Sequence, residues 1–576
     1  MMTIKRQRSV LTVLTLVGMA GVSSSVLSIG ASLPAMAQSQ GPAALSGKVT
    51  SQEEGPMEGV VVNAKRQGST IMVSVDSNAQ GEFNFPKDRL EPGAYDITMR
   101  AIGYVLPPTT ATVAADGPSK LTLNLTKAKP DQLALQMSNS EWMQSAPGTP
   151  AQKTAMLRCL DCHGLQRPFY SKENAEQMAY TVQRMGTHAS TAAPDFPTFL
   201  HDASETLSHP PSKAEADFGA YISSIDLSHG DTWPFALKTI PRPKGKATQV
   251  IVTTYDLPGL AAPHDTMRDQ QGNVWFSDFQ QQFIGKLDPK TGKVTQYPVP
   301  LGKPGFPTGS LMITQDKNGM IWEAMMGQAE IARLDPKTGQ VATFMTPDWK
   351  VGDTRFTMID ALHSNVDGFL WTKTNDAEIH PEVNTNKMWR VNIETGEMTE
   401  VKPPPGMKVN TGYGLVTDLD NNEYSLDNSA TQTKIWRVDA KTGAVTFFDL
   451  PAPGGGRRGH IDSQNRLWFS QFYGNRYGML DPKTGKITLW EVPIPFAGAY
   501  DVGYDDVKYA WGADMSTDLV QRLDPATGEW TSYLLPLSIN TRHIDVQKTD
   551  NPYGVSSMWT EGQQNGKIVH VEPLTP

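Results

Sequence analysis

The only two cysteines of this 576-residue chain stand three positions apart, in Cys159-Leu160-Asp161-Cys162-His163. Two thiols at this spacing on the first turn of a helix suit addition to the two vinyl groups of one haem, and the adjacent His163 then offers a ring nitrogen to the iron. Two other chemistries use paired cysteines. A zinc site needs two more Cys or His ligands at matching spacing, and no further Cys exists. A thioredoxin-like redox dithiol needs a strand–helix–strand setting, which the flanking sequence lacks. The motif therefore predicts a covalently bound haem c on Cys159 and Cys162, with His163 as proximal iron ligand. Met185, in Val182-Gln183-Arg184-Met185, is the expected distal ligand and shares a helix face with Met178. His188, His201 and His209 are the alternatives.

A second set of chemistry-bearing residues emerges from a repeat. Leu287-Asp288-Pro289-Lys290-Thr291-Gly292 returns at Asp335, Asn392, Asp439, Asp481 and Asp524, at intervals of 42 to 57 residues. Each phrase reads as a hairpin turn, in which Asp-Pro opens the turn and Gly supplies the positive φ that ends it. A Trp or Tyr strand lies upstream of each turn, and these strands count seven blades, at Trp275, Trp322, Trp371, Tyr424, Trp468, Trp511 and Trp559. A period in the forties of all-β repeats predicts a propeller over 240–576. The chain ends on a third strand, 568–571, and an extra outer strand, 249–257, precedes the first blade. Together they can complete the last blade and close the ring.

Taking each Trp as reference, His264, Arg457 and Tyr500 lie eleven residues upstream, with Arg542 and His543 nearby in the last blade. Just after each Trp strand comes a polar position, at Asp278, Glu323, Asn375, Asp427, Gln471, Asp514 and Glu561. Such residues either cap turns or ring one channel mouth. His264, Arg457, His460 and His543 converging there would suit an anionic or carbonyl-bearing small ligand. His363 and His380 fall in the longer third blade, where they can form a lid, and His570 reads as an outer-strand residue.

The elements ahead of the propeller differ in pattern. Residues 42–128 read as a small β-sandwich with strands at 45–50, 59–65, 71–76, 81–85, 93–101 and 120–125. Residues 129–228 carry helical patches at 131–143, 151–160, 172–185 and 212–225. The expected fold is mainly β: an N-terminal sandwich, a small all-α domain and a C-terminal seven-bladed propeller.

Three resemblances sharpen this. Gly81-Glu82-Phe83-Asn84-Phe85, Pro92-Gly93-Ala94-Tyr95 and Ala101-Ile102-Gly103-Tyr104 resemble the carboxypeptidase regulatory-like domain, which implies a docking or stabilising module. Residues 150–228, with Gly164-Leu165 and a last helix bearing Phe218 and Tyr221, resemble a monohaem cytochrome c domain. Asn273-Val274-Trp275-Phe276-Ser277-Asp278, Phe283-Ile284-Gly285-Lys286-Leu287-Asp288 and Leu467-Trp468-Phe469-Ser470 resemble the virginiamycin B lyase (streptogramin lyase-like) family. That resemblance implies a His base and a divalent cation at one propeller mouth, for which His543 and Glu561 are the closest pair.

Lys5, Arg6 and Arg8, an apolar run and Ala35-Met36-Ala37 before Gln38 read as a secretory signal over 1–37. Its removal takes the net charge from −9 to −12, which argues against nucleic-acid binding. The hydrophobic content of 39% against 19% charged excludes a disordered chain. The expected protein is periplasmic, with a haem-linked oxidoreductase role, a small-molecule ligand at the propeller mouth and a periplasmic or membrane-bound redox partner. A metal-dependent lyase is the alternative, and a non-enzymatic docking scaffold with a haem wire the third reading.

Overall fold

The computed structural model describes residues 42–200, 203–228, 235–347, 356–375, 387–402, 413–548 and 554–576. The secretory signal, His201 and His380 lie outside these residues. No helix among the described residues is long and apolar enough to cross a membrane.

Two sheets build the N-terminal sandwich. In one, Ala43–Ser51 pairs antiparallel with Glu82–Pro86 and parallel with Ser119–Lys127. The other runs Ile71–Asp76, Val61–Arg66, Gly93–Arg100 and Thr109–Val113 in antiparallel order. Alternation in these strands sends Leu45, Val49, Val62, Phe83, Phe85 and Ile97 into one core. The strand spans match the sequence expectation to within a few residues, and the short strand Thr109–Val113 is an addition to it.

The C-terminal part is a propeller-like ring of four-stranded antiparallel sheets, six of them formed from consecutive strands. A seventh sheet takes Ile544–Gln547, Ser557–Gly562 and Lys567–Pro573, and its fourth strand is Val250–Asp256 from the other end of the ring. The repeat explains the blades. In the first, Asp288 accepts hydrogen bonds from the Lys290 backbone and the Thr291 hydroxyl, and Gly292 takes φ +71°. In three blades the buried Trp of the second strand donates its indole N–H to an Asp of the preceding turn: Trp275 to Asp269, Trp322 to Asp316 and Trp468 to Asp462. That bond satisfies the one polar atom of a large side chain that is otherwise packed between blades.

The ring-closing strand does a second job. Its free edge pairs with Ile71–Asp76 of the sandwich, so the seventh blade and one sandwich sheet form a continuous eight-stranded sheet. Ile251 accordingly belongs to the sandwich core. Charged pairs lock the joint. Arg89 holds Glu572 through two bonds of 2.8 Å, and Arg100 reaches Asp518 at 2.6 Å with both side chains buried.

Residues 129–228 do not form the separate all-α cytochrome c domain expected from the sequence. The helices are short, and the patch at 131–143 divides into Pro130–Gln136 and Asn139–Ser145 because Ser138 caps the second with a capping box on Glu141. Their apolar residues, among them Trp142, Met156, Leu160, Phe169 and Tyr221, pack into a core completed by Phe472, Tyr500 and Met515 of the propeller. The segment has too few long helices to bury its apolar side chains alone, so it finishes its core on one end of the ring.

Replacing Arg100 with Met would leave the Asp518 carboxylate buried without its partner. The expected loss is about 3–5 kcal/mol, read as a lower urea midpoint, whereas Arg66→Met at the exposed pair with Glu91 should cost under about 1 kcal/mol.

Candidate functional site

The inner strands of three blades carry adjacent residues with chemistry, His264-Asp265, Arg457-Arg458 and Tyr500-Asp501, and Arg542-His543 stand just ahead of a fourth, Ile544–Gln547. In the first three the strand pairing shifts register at that point. A β-bulge there lets consecutive residues face the same side instead of alternating. Both members of these three pairs therefore turn toward the channel, and Arg542 and His543 join them from the residues before the seventh blade's inner strand. The first member lies toward the end that the cysteine segment covers, and the second lies deeper.

At the covered end the groups contact the cysteine segment and one another, although the buried Arg457 Nε has no hydrogen-bond partner. Arg457 pairs with Asp161 at 3.0 Å, and its guanidinium lies over the rings of Phe472 and Tyr500 at 4.2 and 4.3 Å. Arg542 donates to the backbone oxygen of Asp161 at 2.9 Å, while Asn540 and Gln564 donate to that of Leu160 at 3.0 Å each. The side chain of Leu160 is wholly buried. His264 is also wholly buried, stacked on Phe279 and bonded through Nδ1 to Asp265 and through Nε2 to Tyr500. Burial, then the charges of Arg542, Arg458 and Arg457, hold its pKa well below the ordinary histidine value. The residues Cys159 to His163 thus stopper this mouth.

The opposite end is open. A cavity of about 150 Å³ is lined by Thr266, Asp360, Arg458, His460, Asp501 and His543 among others, and by no residue of 129–228. His460 Nε2 lies 3.1 Å from Asp501 Oδ2, and His543 Nε2 lies 3.9 Å from the same oxygen. One donor atom from each of the three fits within a 4.8 Å span, a grouping able to hold a metal ion. The side chains of His460 and His543 are 31% and 14% exposed, so the site is reachable, while Asp501 is sealed. Burial works to raise the Asp501 pKa, but His460, its hydrogen bond and His543 outweigh it and hold the carboxyl at about 2. Burial pushes His543 down to about 3, and Asp501 raises His460 against the same penalty. Two imidazoles on one carboxylate therefore differ in proton affinity. Arg458 anchors one nitrogen on Asp265 at 2.7 Å, and its buried Nε and Nη2 have no hydrogen-bond partner.

The four residues expected at one mouth are thus divided. His264 and Arg457 sit under the cysteine segment, whereas His460 and His543 face the other opening. The expected pair of His543 and Glu561 does not assemble. Glu561 Oε1 accepts the backbone N–H groups of Arg542 and His543 at 2.9 Å each, and the His543 ring faces Asp501.

The polar positions after the Trp strands are mostly turn caps. Asp278 accepts backbone N–H groups from Ala262, Gln280 and Gln281, and Asp427 accepts that of Ser429. Glu323 accepts from Ser310, and Gln471 donates to the Ala452 carbonyl. The Asn375 side chain is outside the described residues. His363 occupies the turn after Phe356–Asp360. His570 lies in the strand Lys567–Pro573 and stacks on Trp559 at 4.1 Å.

Asp265, Arg458 and Asp501 were missed by counting back from the Trp, which selects one residue per strand. The available signal was the repeated adjacency of two chemistry-bearing residues at the same blade position.

Cys159 and Cys162 form no disulfide. They flank the end of a tight helix, Met156–Asp161. Burial pushes the Cys159 thiol up to about 12, the opposite of the lowered value a reactive redox dithiol needs. His163 Nδ1 lies 3.0 Å from the Gly164 carbonyl oxygen, which fixes the ring and leaves Nε2 as the available nitrogen. Met185 ends the helix Ala175–Met185 and is half-buried, and Met178 on the same helix is buried in the segment's core. His188 bonds through Nδ1 to the Arg184 carbonyl at 2.9 Å. His209 offers its backbone carbonyl to Gln183.

Asp514, another polar position of the repeat, is buried between Tyr477 and Gln521, and burial lifts its pKa to about 7. The folded chain then keeps this proton after the unfolded chain has released it. Stability should fall as pH rises from about 4 through 7, and level off above. Asp514→Asn should therefore be more stable than the native chain at pH 8 and equal to it near pH 4, as read from urea midpoints.

Two family models match parts of the chain. The carboxypeptidase regulatory-like domain matches residues 44–126, and the SMP-30/gluconolactonase/LRE-like region matches residues 265–503. No curated protein matches the chain. Among solved structures, a virginiamycin B lyase from Staphylococcus aureus is 19% identical with a TM-score of 0.47, covering 56% of this chain and 99% of its own. A streptogramin B lyase is 20% identical with a TM-score of 0.45, covering 56% and 98%.

Proposed function

We propose that the propeller performs acid–base chemistry of the lyase type on a small anionic or carbonyl-bearing molecule, which enters the channel from the end opposite the cysteine segment. The observation that carries this reading is the His460–Asp501–His543 grouping at the floor of an open cavity. A divalent cation fits these three residues, two imidazoles and one carboxylate being an ordinary donor set for a first-row ion. When bound, such an ion supplies Lewis-acid polarisation of a carbonyl. The chain's own residues supply the rest. Arg458 lines the same cavity, where its positive charge favours an anionic group. His543, neutral through burial, has a ring lone pair to offer that ion, and Asp501 fixes both imidazoles. The cavity holds roughly five water volumes at ~30 Å³ each, so only the reacting group of a larger substrate can reach the floor.

A second reading is favoured by the cysteine segment: a covalent haem c on Cys159 and Cys162, ligated by His163, passing electrons to a periplasmic or membrane-bound redox partner. The orientation of His163 and the absence of a disulfide support it. The signal-like residues 1–37 support a periplasmic setting for either activity, where haem attachment is available.

The two readings separate in one series. Chelator-treated protein is titrated calorimetrically with Zn²⁺ or Mn²⁺, and small carboxylates and esters are screened for turnover by NMR. Cation binding near one equivalent is expected, weakened at least 10-fold in His460→Ala and His543→Ala. Turnover should stop with chelator and persist in a Cys159→Ala/Cys162→Ala variant. Turnover that survives chelation but tracks the haem would overturn the lyase reading in favour of the second.

A further inference from the structure

The open cavity has two unlike halves. Blades five, six and seven line it with ionisable groups, Arg458, His460, Asp501, His543 and Asp545. Blades two, three and four line it with Met312, Ile313, Met358, Leu362, Leu415 and Val416. Asp360, the one carboxylate among the lining residues of that second arc, is spent on its own surroundings. It accepts the backbone N–H groups of Leu362 and Thr417 and the Thr417 hydroxyl. The apolar character continues outward. Leu362 is 57% exposed, Val366 in the same turn 43%, and Leu419 in the matching turn of blade four 41%. Asn421 ties these two turns together, donating to Asp367 at 2.8 Å and to the Phe369 carbonyl at 3.0 Å. Lone exposed apolar side chains are ordinary, but three on two joined turns, one of them lining a cavity, mark a binding surface.

We propose that the substrate is amphipathic: a carboxylate or ester whose reacting end sits among Arg458, His460, Asp501 and His543, while an apolar chain lies on Leu362 and runs out over the turns of blades three and four. The proposal rests on the acid–base reading above and adds the substrate class to it. A cavity of about 150 Å³ admits only the reacting group, so the remainder of a larger substrate lies at the entrance. On the side of blades five to seven an apolar chain strips water from ionisable groups and returns no hydrogen bond, which is costly. On the side of blades two to four the same chain covers apolar surface, and each methylene removed from water strengthens binding. Ligand sites commonly have this composition, a largely apolar wall with a few placed polar groups. Leu362 and Leu419 then set which chain is accepted, and the ionisable groups set what happens to its end.

Acetate, butyrate, hexanoate and octanoate are titrated into the full chain in the presence of Zn²⁺, and binding is followed by NMR of labelled methionine methyl groups. The signals of Met312 and Met358, assigned with Met312→Leu and Met358→Leu, report on the apolar arc. From butyrate to octanoate the dissociation constant should fall about 2- to 4-fold per methylene, and both signals should shift. In Leu362→Ser/Leu419→Ser this gain should disappear. Val507→Ser, at an exposed site in the matching turn of blade six, should keep it. Far-ultraviolet dichroism and the urea midpoint confirm that the variants fold. Acetate that binds with no gain from chain length overturns the amphipathic substrate alone and leaves the acid–base reading standing. A gain that survives in Leu362→Ser/Leu419→Ser, or that leaves both methionine signals unmoved, puts the chain elsewhere and overturns the proposal. So does a dimer, seen by sedimentation, that Leu362→Ser/Leu419→Ser dissociates, because a second copy then covers these turns. Failure of every acid to bind, acetate included, overturns the acid–base reading and the proposal with it.

Discussion

Val250–Asp256 is paired on both edges, and most of the architecture depends on that. On one side it completes the seventh blade against Lys567–Pro573, and on the other it meets Ile71–Asp76 of the sandwich. A ring of sheets closed by its two chain ends has no open blade edge at the seam, so a single antiparallel pairing sets its circumference. The same strand makes the sandwich an extension of a blade. Ion pairs of Arg89 and Arg100 with propeller carboxylates hold that extension in register. The carboxypeptidase regulatory-like module thereby stiffens the seam on which ring closure rests.

The ring gives its channel two unlike ends. Bulges in the inner strands of blades one, five and six bring adjacent side chains to the interior, where they meet Arg542 and His543 from blade seven. Crowding of charge in a buried space requires pairing, and the pairing differs along the axis. Near the cysteine segment, Arg457 and Arg542 are consumed by Asp161 and by backbone carbonyls. Deeper down, Arg458 is held by Asp265, and Asp501 divides itself between two histidines. The half-buried imidazoles of His460 and His543 line the open cavity.

The helical segment links the two. Its apolar residues need Phe472, Tyr500 and Met515 to complete their core, and the same packing presses the cysteine turn onto the mouth. Any group attached at Cys159 and Cys162 is therefore carried against propeller residues, whereas the open cavity belongs to the other end.

The repeated Asp-Pro-Lys-Thr-Gly turns, the Trp strands and the extra strand before the first blade made the blades and their closure readable from sequence, since each is a local rule of turn chemistry or periodicity. The sandwich strands were readable for the same reason, and so was the cysteine motif, whose meaning lies in a spacing of three residues. Tertiary structure decided what spacing cannot encode. It joined the sandwich to the seventh blade, because an unpaired strand edge carries no sequence mark of its partner. It merged the helical segment with the ring, because sharing a core is a property of surfaces brought together. It separated His264 and Arg457 from His460 and His543, and put Asp501 rather than Glu561 beside His543, because bulges in the inner strands reset which residues face the channel. Counting from the Trp found the right strands, and only the register of their pairing showed which side chains meet.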